Sequence, residues 1–185
     1  SGPSSVVATV VSDGTVALVE GSVDIGGSRP AVAQQLAEVL GIPAEDVNPQ
    51  VADTDSIGFT SNTGGSGVAF KTGWAAYEAA RNVKEQMVQR AAMIWEVDPD
   101  AIELDDGVFR SKADPELKMT FKELAGQLEE TGGPVVGVGN VKAAGVGGAF
   151  AGCIVDVDID TETGKVDILR FTLVQDAGKA IHPSY

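Results

Sequence analysis

The sequence predicts an α+β fold in which antiparallel hairpins pack with two longer helices. Three observations carry that reading. Residues 154–159 and 166–174 both alternate apolar and polar side chains and flank the turn Thr161-Glu162-Thr163-Gly164, which is the pattern of a long hairpin. Residues 73–95 repeat Ala, Val, Met and Ile at helical spacing, with Arg81, Lys84, Glu85, Gln89 and Arg90 between them. Residues 6–12 and 15–23 are β-branched runs joined by the tight-turn pair Asp13-Gly14.

After the first hairpin, Val32, Leu36, Val39 and Leu40 fall on one helical face. Pro30 stands near the start and Gly41 just past the end, so the second helix is expected over residues 30–40. Residues 47–52 read as a short strand, and residues 53–67 as a polar, glycine-rich loop. Structureless loops longer than about 12–15 residues are uncommon inside domains and usually functional. A loop shaped to hold a ligand loses its partners without one, so this loop is expected to be poorly ordered on its own.

Pro99 ends the long helix. Residues 102–104 and 108–110 flank Asp105-Asp106-Gly107 as a small hairpin, and Thr120 with Glu123 forms a capping box for a helix through Leu128. Gly132-Gly133-Pro134 closes that unit, and no internal repeat is visible. The chain reaches Tyr185 directly after Asp176-Ala177-Gly178-Lys179-Ala180-Ile181-His182-Pro183, the pattern expected of a cut through a domain.

Composition narrows the function. A net charge of −14 on 185 residues excludes the clustered cations that a nucleic-acid or anionic membrane surface requires. The single cysteine, Cys153, lies in the apolar run 149–155, so no disulfide framework exists and a reducing, cytoplasmic compartment is expected. No apolar run approaches the ~20 residues of a membrane span, and no basic-then-apolar leader opens the chain.

The glycines cluster, which points to loops that approach something closely. Gly26-Gly27-Ser28 stands between a strand and a helix, where backbone N–H groups can cradle an anion; a plain strand-to-helix turn is the simpler reading. Thr60-Ser61-Asn62-Thr63-Gly64-Gly65-Ser66-Gly67 precedes the long helix and is rich in hydroxyls and unhindered amides, a composition suited to phosphate or pterin oxygens as well as to a solvated loop. Neither the dinucleotide fingerprint nor the P-loop spacing occurs. Asp53 and Asp55 read as turn caps, Asp156, Asp158 and Asp160 as solvated strand charges, and His182, the only histidine, as a loop residue. No catalytic residue and no metal ligand is assigned.

The run Val23-Asp24-Ile25-Gly26-Gly27, followed by Gln34, Ala37-Glu38 and Leu40-Gly41-Ile42-Pro43, resembles the molybdopterin-binding large subunit of the xanthine dehydrogenase and aldehyde oxidase family. The resemblance continues through Asp53-Thr54-Asp55, Thr63-Gly64-Gly65-Ser66, Gly73-Trp74-Ala75-Ala76-Tyr77-Glu78-Ala79 and Gly148-Ala149-Phe150-Ala151. It runs on through Asp156-Val157-Asp158-Ile159-Asp160, Thr163-Gly164-Lys165-Val166 and the segment ending at His182-Pro183. It implies a fragment of the C-terminal lobe of that subunit, residues 1–185 being a partial molybdopterin-binding domain. It further implies a molybdenum cofactor, often the cytosine dinucleotide, that hydroxylates an aldehyde or N-heterocycle. The implied partners are the remaining lobe and iron–sulfur and flavin subunits or domains.

Carried onto this sequence, the cofactor-binding residues are Gly26, Gly27 and Ser28 in the first loop and Thr63, Gly64, Gly65, Ser66 and Gly67 in the second. Three departures stand out. Many relatives place a glutamine between the first two glycines, and many carry arginine where this chain has Gly67. The glutamate that serves as the family's base lies in a later motif, so the isolated fragment is expected to be inactive and free of cofactor. The alternative reading is a free-standing acidic module, either anion-binding or structural, with no redox role.

Overall fold

The computed structural model describes residues 2–53, 55–145 and 147–181, and the chain divides into two compact units after residue 144. His182 and the chain end fall outside the described residues, as does Thr54.

In the first unit, β1 (Pro3–Val10) and β2 (Val16–Glu20) form the expected antiparallel hairpin, with Val6 opposite Glu20 and Val10 opposite Val16. Asp13 accepts from the Thr15 amide and hydroxyl and so fixes the turn. Period-two alternation sends Val6, Ala8 and Val10 together with Val16, Leu18 and Glu20 into the interior.

Helix α1 (Ser28–Leu40) follows, and its stripe of Val32, Leu36 and Leu40 is buried. It leads into β3 (Val47–Val51), which lies parallel to β2, not in a hairpin. Parallel neighbours need a long crossover, and α1 supplies it. The expectation of antiparallel pairing is therefore corrected for this strand, while the α+β class holds.

Helix α2 (Gly73–Trp95) is the longest element and is entered through one π-helical turn, Val68–Thr72. Its inward face is built from Ala75, Ala76, Ala79, Ala80 and Val83. Against it lies β7 (Val136–Lys142), antiparallel to β1, completing the sheet order β3-β2-β1-β7. This strand is absent from the sequence reading, because glycine weakens strands and Gly137 and Gly139 look like loop residues. Packing reverses the argument. A Cβ at Gly139 would overlap the Ala75 carbonyl and lie 2.8 Å from the Ala79 nitrogen, so only glycine lets β7 rest on α2.

β4 (Ile102–Asp105) and β5 (Val108–Ser111) form the expected hairpin, and β6 (Lys118–Thr120) adds a third strand. The Thr120–Glu123 capping box is present, but α3 runs only over Phe121–Ala125. From there i→i+3 bonds such as Leu128 N–H to Ala125 O tighten the chain, and Leu128 is still buried.

The second unit holds β8 (Phe150–Ile159) and β9 (Val166–Asp176), paired antiparallel as the alternation predicts. A bulge at Leu169 puts Asp156 opposite Arg170 and Val157 opposite Ile168. The register gathers Val155, Val157, Ile159, Val166, Ile168 and Phe171 on one face, and all six are exposed. Asp156 and Asp158 stand on the other face as solvated charges, as expected.

Candidate functional site

Two loops come together at one end of the four-stranded sheet. The first, residues 21–27, leaves β2, and the second, residues 52–67, joins β3 to the π-helical turn before α2. The Val23 amide donates to Thr63 Oγ1 at 3.0 Å, so the loops touch where the sequence puts their glycines. Thr60 lies so close to Gly21 that a side chain there has no room. Beneath them, Thr72 Oγ1 shares hydrogen bonds with Ser22 Oγ at 2.7 Å and Ser4 Oγ at 3.0 Å, and all three residues are buried.

The second loop is tied down more firmly than the sequence reading expects. The Ser61 amide donates to Pro3 O at 2.9 Å, and the Ser5 amide donates to Thr60 Oγ1 at 3.1 Å. Lys71, only 3% exposed, donates from Nζ to Ser61 Oγ at 2.7 Å, Ser61 O at 3.1 Å and Asn62 O at 2.7 Å. Burial lowers the lysine's pKa from its ordinary value. The expectation of a loop without fixed partners is thus corrected for residues 59–63. Lys71 escapes notice in the sequence because it interrupts an apolar run just before a helix, where a lysine ordinarily snorkels to solvent.

A measurable consequence follows from those three bonds. Hydrogen bonds from a charged donor are each worth about 1.5–3 kcal/mol. Lys71→Met is expected to speed amide exchange of residues 59–63 by at least about tenfold, with 1.4 kcal/mol per decade. Unchanged exchange would show that the lysine does not hold the loop.

Beyond Asn62 the loop opens. Gly65 has φ 60° and Ser66 φ 54°, both left-handed, and a Cβ added to Gly65 would meet nothing within 4 Å. The amides of Gly64, Gly65 and Ser66 donate to no protein acceptor among the described residues, while the Gly67 amide bonds to Gly64 O at 3.3 Å. Successive free amides in such a turn form a concavity suited to an oxygen-rich or anionic group. Thr63 contributes differently from its neighbours, since its hydroxyl holds the other loop.

The first loop is arranged in another way. Asp24 accepts from the Gly26 amide at 2.9 Å, the Ser28 amide and hydroxyl at 3.0 Å each, and Arg29 Nε at 2.7 Å. Arg29 above all, then the Gly26 amide, holds the Asp24 carboxyl well below the usual carboxylate range. The anion at the N-terminus of α1 is therefore the chain's own Asp24. Gly26 and Ser28 can donate to a ligand only if Asp24 moves, whereas Gly27, the N-cap, makes no side-chain cap bond.

One further group is absent from the sequence reading. Glu20 is 0% exposed, and both carboxylate oxygens lack a hydrogen-bond partner. Burial first, and the Asp24 charge second, push its pKa up to about 7, against the pull of Arg29. The signal was available: Val16, Leu18 and Glu20 stand at i, i+2 and i+4 of one strand, so Glu20 shares the inward register.

Among the described residues no group of histidine, cysteine, aspartate or glutamate could hold a metal ion, and the two neighbouring aspartates, Asp53 and Asp55, form a local turn. A cleft of about 540 Å³ beside α2, lined by Tyr77, Arg81, Lys84 and Lys112, includes no residue of either loop. No described helix is long and apolar enough to cross a membrane.

The profile of the family described as molybdopterin cofactor-binding domain matches residues 1–185. The chain is 33% identical over 166 residues to the carbon monoxide dehydrogenase large chain of Afipia carboxidovorans, covering 85% of this chain and 20% of that protein. It is 30% identical over 177 residues to a probable hypoxanthine oxidase of Escherichia coli, covering 93% of this chain and 18% of that protein. Its fold superimposes on a Cu,Mo-CO dehydrogenase with a TM-score of 0.88 at 29% identity, covering 98% of this chain and 24% of the other. The quinoline 2-oxidoreductase of Pseudomonas putida, at 23% identity and TM-score 0.82, shares the fold. The chain thus spans about a fifth of the length of these curated relatives. On this match over its full length, the chain belongs to the molybdopterin cofactor-binding domain family of the molybdenum hydroxylases.

Proposed function

We propose that residues 21–28 and 59–67 present backbone donors to a molybdopterin cofactor in a complete molybdenum hydroxylase. The observation that carries this reading is the Val23–Thr63 bond, which joins the two loops and leaves the Gly64, Gly65 and Ser66 amides open beside it. The donor set fits an oxygen-rich ligand: three free amides, the Ser66 hydroxyl and a glycine with open space above it. The cofactor, when bound, supplies the redox centre for oxidative hydroxylation. This chain's own residues bind and orient: Gly64, Gly65 and Ser66 donate, Thr63 keeps the loops together, Lys71 stiffens the second loop, and Gly26, Gly27 and Ser28 flank the cofactor's pterin or phosphate side.

The substrate class proposed is an aldehyde or N-heterocycle, consistent with relatives named for aldehyde oxidoreduction and hypoxanthine oxidation. The resemblance to a carbon monoxide dehydrogenase large chain favours carbon monoxide as a second reading. Turnover of the complete enzyme with each substrate distinguishes them. We further propose the cytosine dinucleotide form of the cofactor, a cytoplasmic location, and iron–sulfur and flavin partners. The general base comes from outside these residues. The remainder of the subunit covers the apolar face of the β8–β9 hairpin, since a two-stranded hairpin is marginal alone and the chain is about a fifth of its relatives' length.

The test is Gly65→Phe in the complete enzyme. A bulky side chain at a left-handed position above the open amides is expected to reduce cofactor content and turnover at least about tenfold, the equivalent of 1.4 kcal/mol, with the circular dichroism spectrum unchanged. Normal loading and turnover would place the cofactor elsewhere.

A further inference from the structure

We infer that Gln35 is a positioning residue for the second loop: from α1 it holds the π-helical turn Val68–Thr72, and through that turn it sets Lys71 against residues 61–62. Gln35 lies two turns down the helix that begins at Ser28, so it stands on the element that follows the first loop. Its side-chain nitrogen donates to Ala31 O at 3.2 Å within that helix and to Ala69 O at 3.1 Å inside the π-helical turn. An amide nitrogen has two protons, and these two acceptors employ both. Glycine at 73 makes the room. A Cβ there would overlap the Gln35 side-chain amide, although Gly73, at φ −60° and ψ −40°, has helical dihedrals that any residue adopts. Glycine weakens a helix, so its place at the start of α2 serves space and not backbone freedom.

An i→i+5 turn encloses one residue more than an α-helical turn, and such turns are rare and short. Here Val68, Lys71, Thr72 and then Gly73 are all buried. Lys71 reaches Ser61 Oγ, Ser61 O and Asn62 O, while Thr72 beside it bonds Ser4 and Ser22. Each of those bonds depends on where the turn sits, and Gln35 fixes one of its carbonyls from a neighbouring helix. The path from α1 to the second loop is therefore Gln35, Ala69, Lys71 and Ser61. It is separate from the Val23–Thr63 bond, so the two loops are coupled twice. That coupling bears on a cofactor only through the function proposed above, but the bonds themselves involve only this chain.

The experiment is amide hydrogen exchange of the full chain, without cofactor, read at Ser61, whose amide donates to Pro3 O. Gln35→Met keeps the side chain's length and removes the donor. It is expected to speed exchange at Ser61 about threefold to tenfold, the span of one net neutral hydrogen bond. Gly73→Ala is expected to do the same by displacing the amide, even though alanine favours a helix more than glycine does. In a Lys71→Met background, Gln35→Met should change Ser61 exchange by less than about twofold, because its effect passes through the lysine. The inference is overturned if both single variants leave Ser61 unchanged, if exchange rises equally at Leu18 in the middle of the sheet, or if Gln35→Met acts equally with and without Lys71. Because no cofactor is present, a wrong assignment of the cofactor loops would leave these readings intact and appear only in the Gly65→Phe test.

Discussion

Replacing Gly139 with alanine is expected to destabilise the first unit by about 3 kcal/mol, the upper part of the range for overpacking a close-packed core. The added methyl would overlap the Ala75 carbonyl and lie 2.8 Å from the Ala79 nitrogen and 2.9 Å from the Ala75 carbonyl carbon. These are backbone atoms of α2, so no side-chain rotation relieves the clash, and β7 must lift from the helix. Gly137 faces the next turn in the same way, against Ala79 O and Val83. The check is a urea denaturation midpoint measured beside Gly133→Ala, where a Cβ meets nothing within 4 Å although its φ of 87° adds a backbone penalty. If the two substitutions cost the same, close approach to α2 is not what demands glycine at 139.

Stability should also fall between mildly acidic and neutral pH, against the trend that paired carboxylates impose. Glu20 binds its proton more tightly in the folded chain, with its pKa raised from an ordinary 4.5 to about 7. Its contribution is therefore complete below pH 4.5 and is lost as the pH rises through 7. At about 1.4 kcal/mol per unit, the loss is on the order of 3 kcal/mol. Asp24 has the opposite sign, since its pKa is depressed; its contribution is present above the ordinary carboxylate value and disappears only on stronger acidification. The two windows do not overlap, so unfolding measured at pH 5 and pH 8 reports mainly Glu20. Glu20→Met should remove the pH dependence and be more stable than the native chain at pH 8, because an apolar replacement leaves no unpartnered polar atom. A native chain as stable at pH 8 as at pH 5 would show that the Glu20 carboxyl finds partners in solution.

Part of the candidate site was legible from residue types alone. Gly64, Gly65 and Ser66 combine hydroxyl and unhindered amide in a long loop before a helix, and they are the donors left open in the structure. Gly26 and Ser28 were legible as a helix N-terminus suited to an anion, but the anion found there is Asp24, four residues before Ser28. Lys71 and Glu20 were not legible as site residues, because their burial depends on what the rest of the chain places over them.

The same division runs through the fold. Local periodicity determined β1–β2, β4–β5 and β8–β9 as hairpins, α1 and α2 as helices, and the Thr120–Glu123 cap, since each depends on contacts a few residues apart. Tertiary structure alone decided that β3 joins β2 in parallel, that a glycine-bearing segment becomes β7, and that a strand-end glutamate is fully buried. β7 depends on α2 lying against the sheet, and the parallel β3 on the crossover through α1. A sequence records the period of each element, but the free energy of close approach belongs to pairs such as Gly139 and Ala75, brought together only by the finished packing.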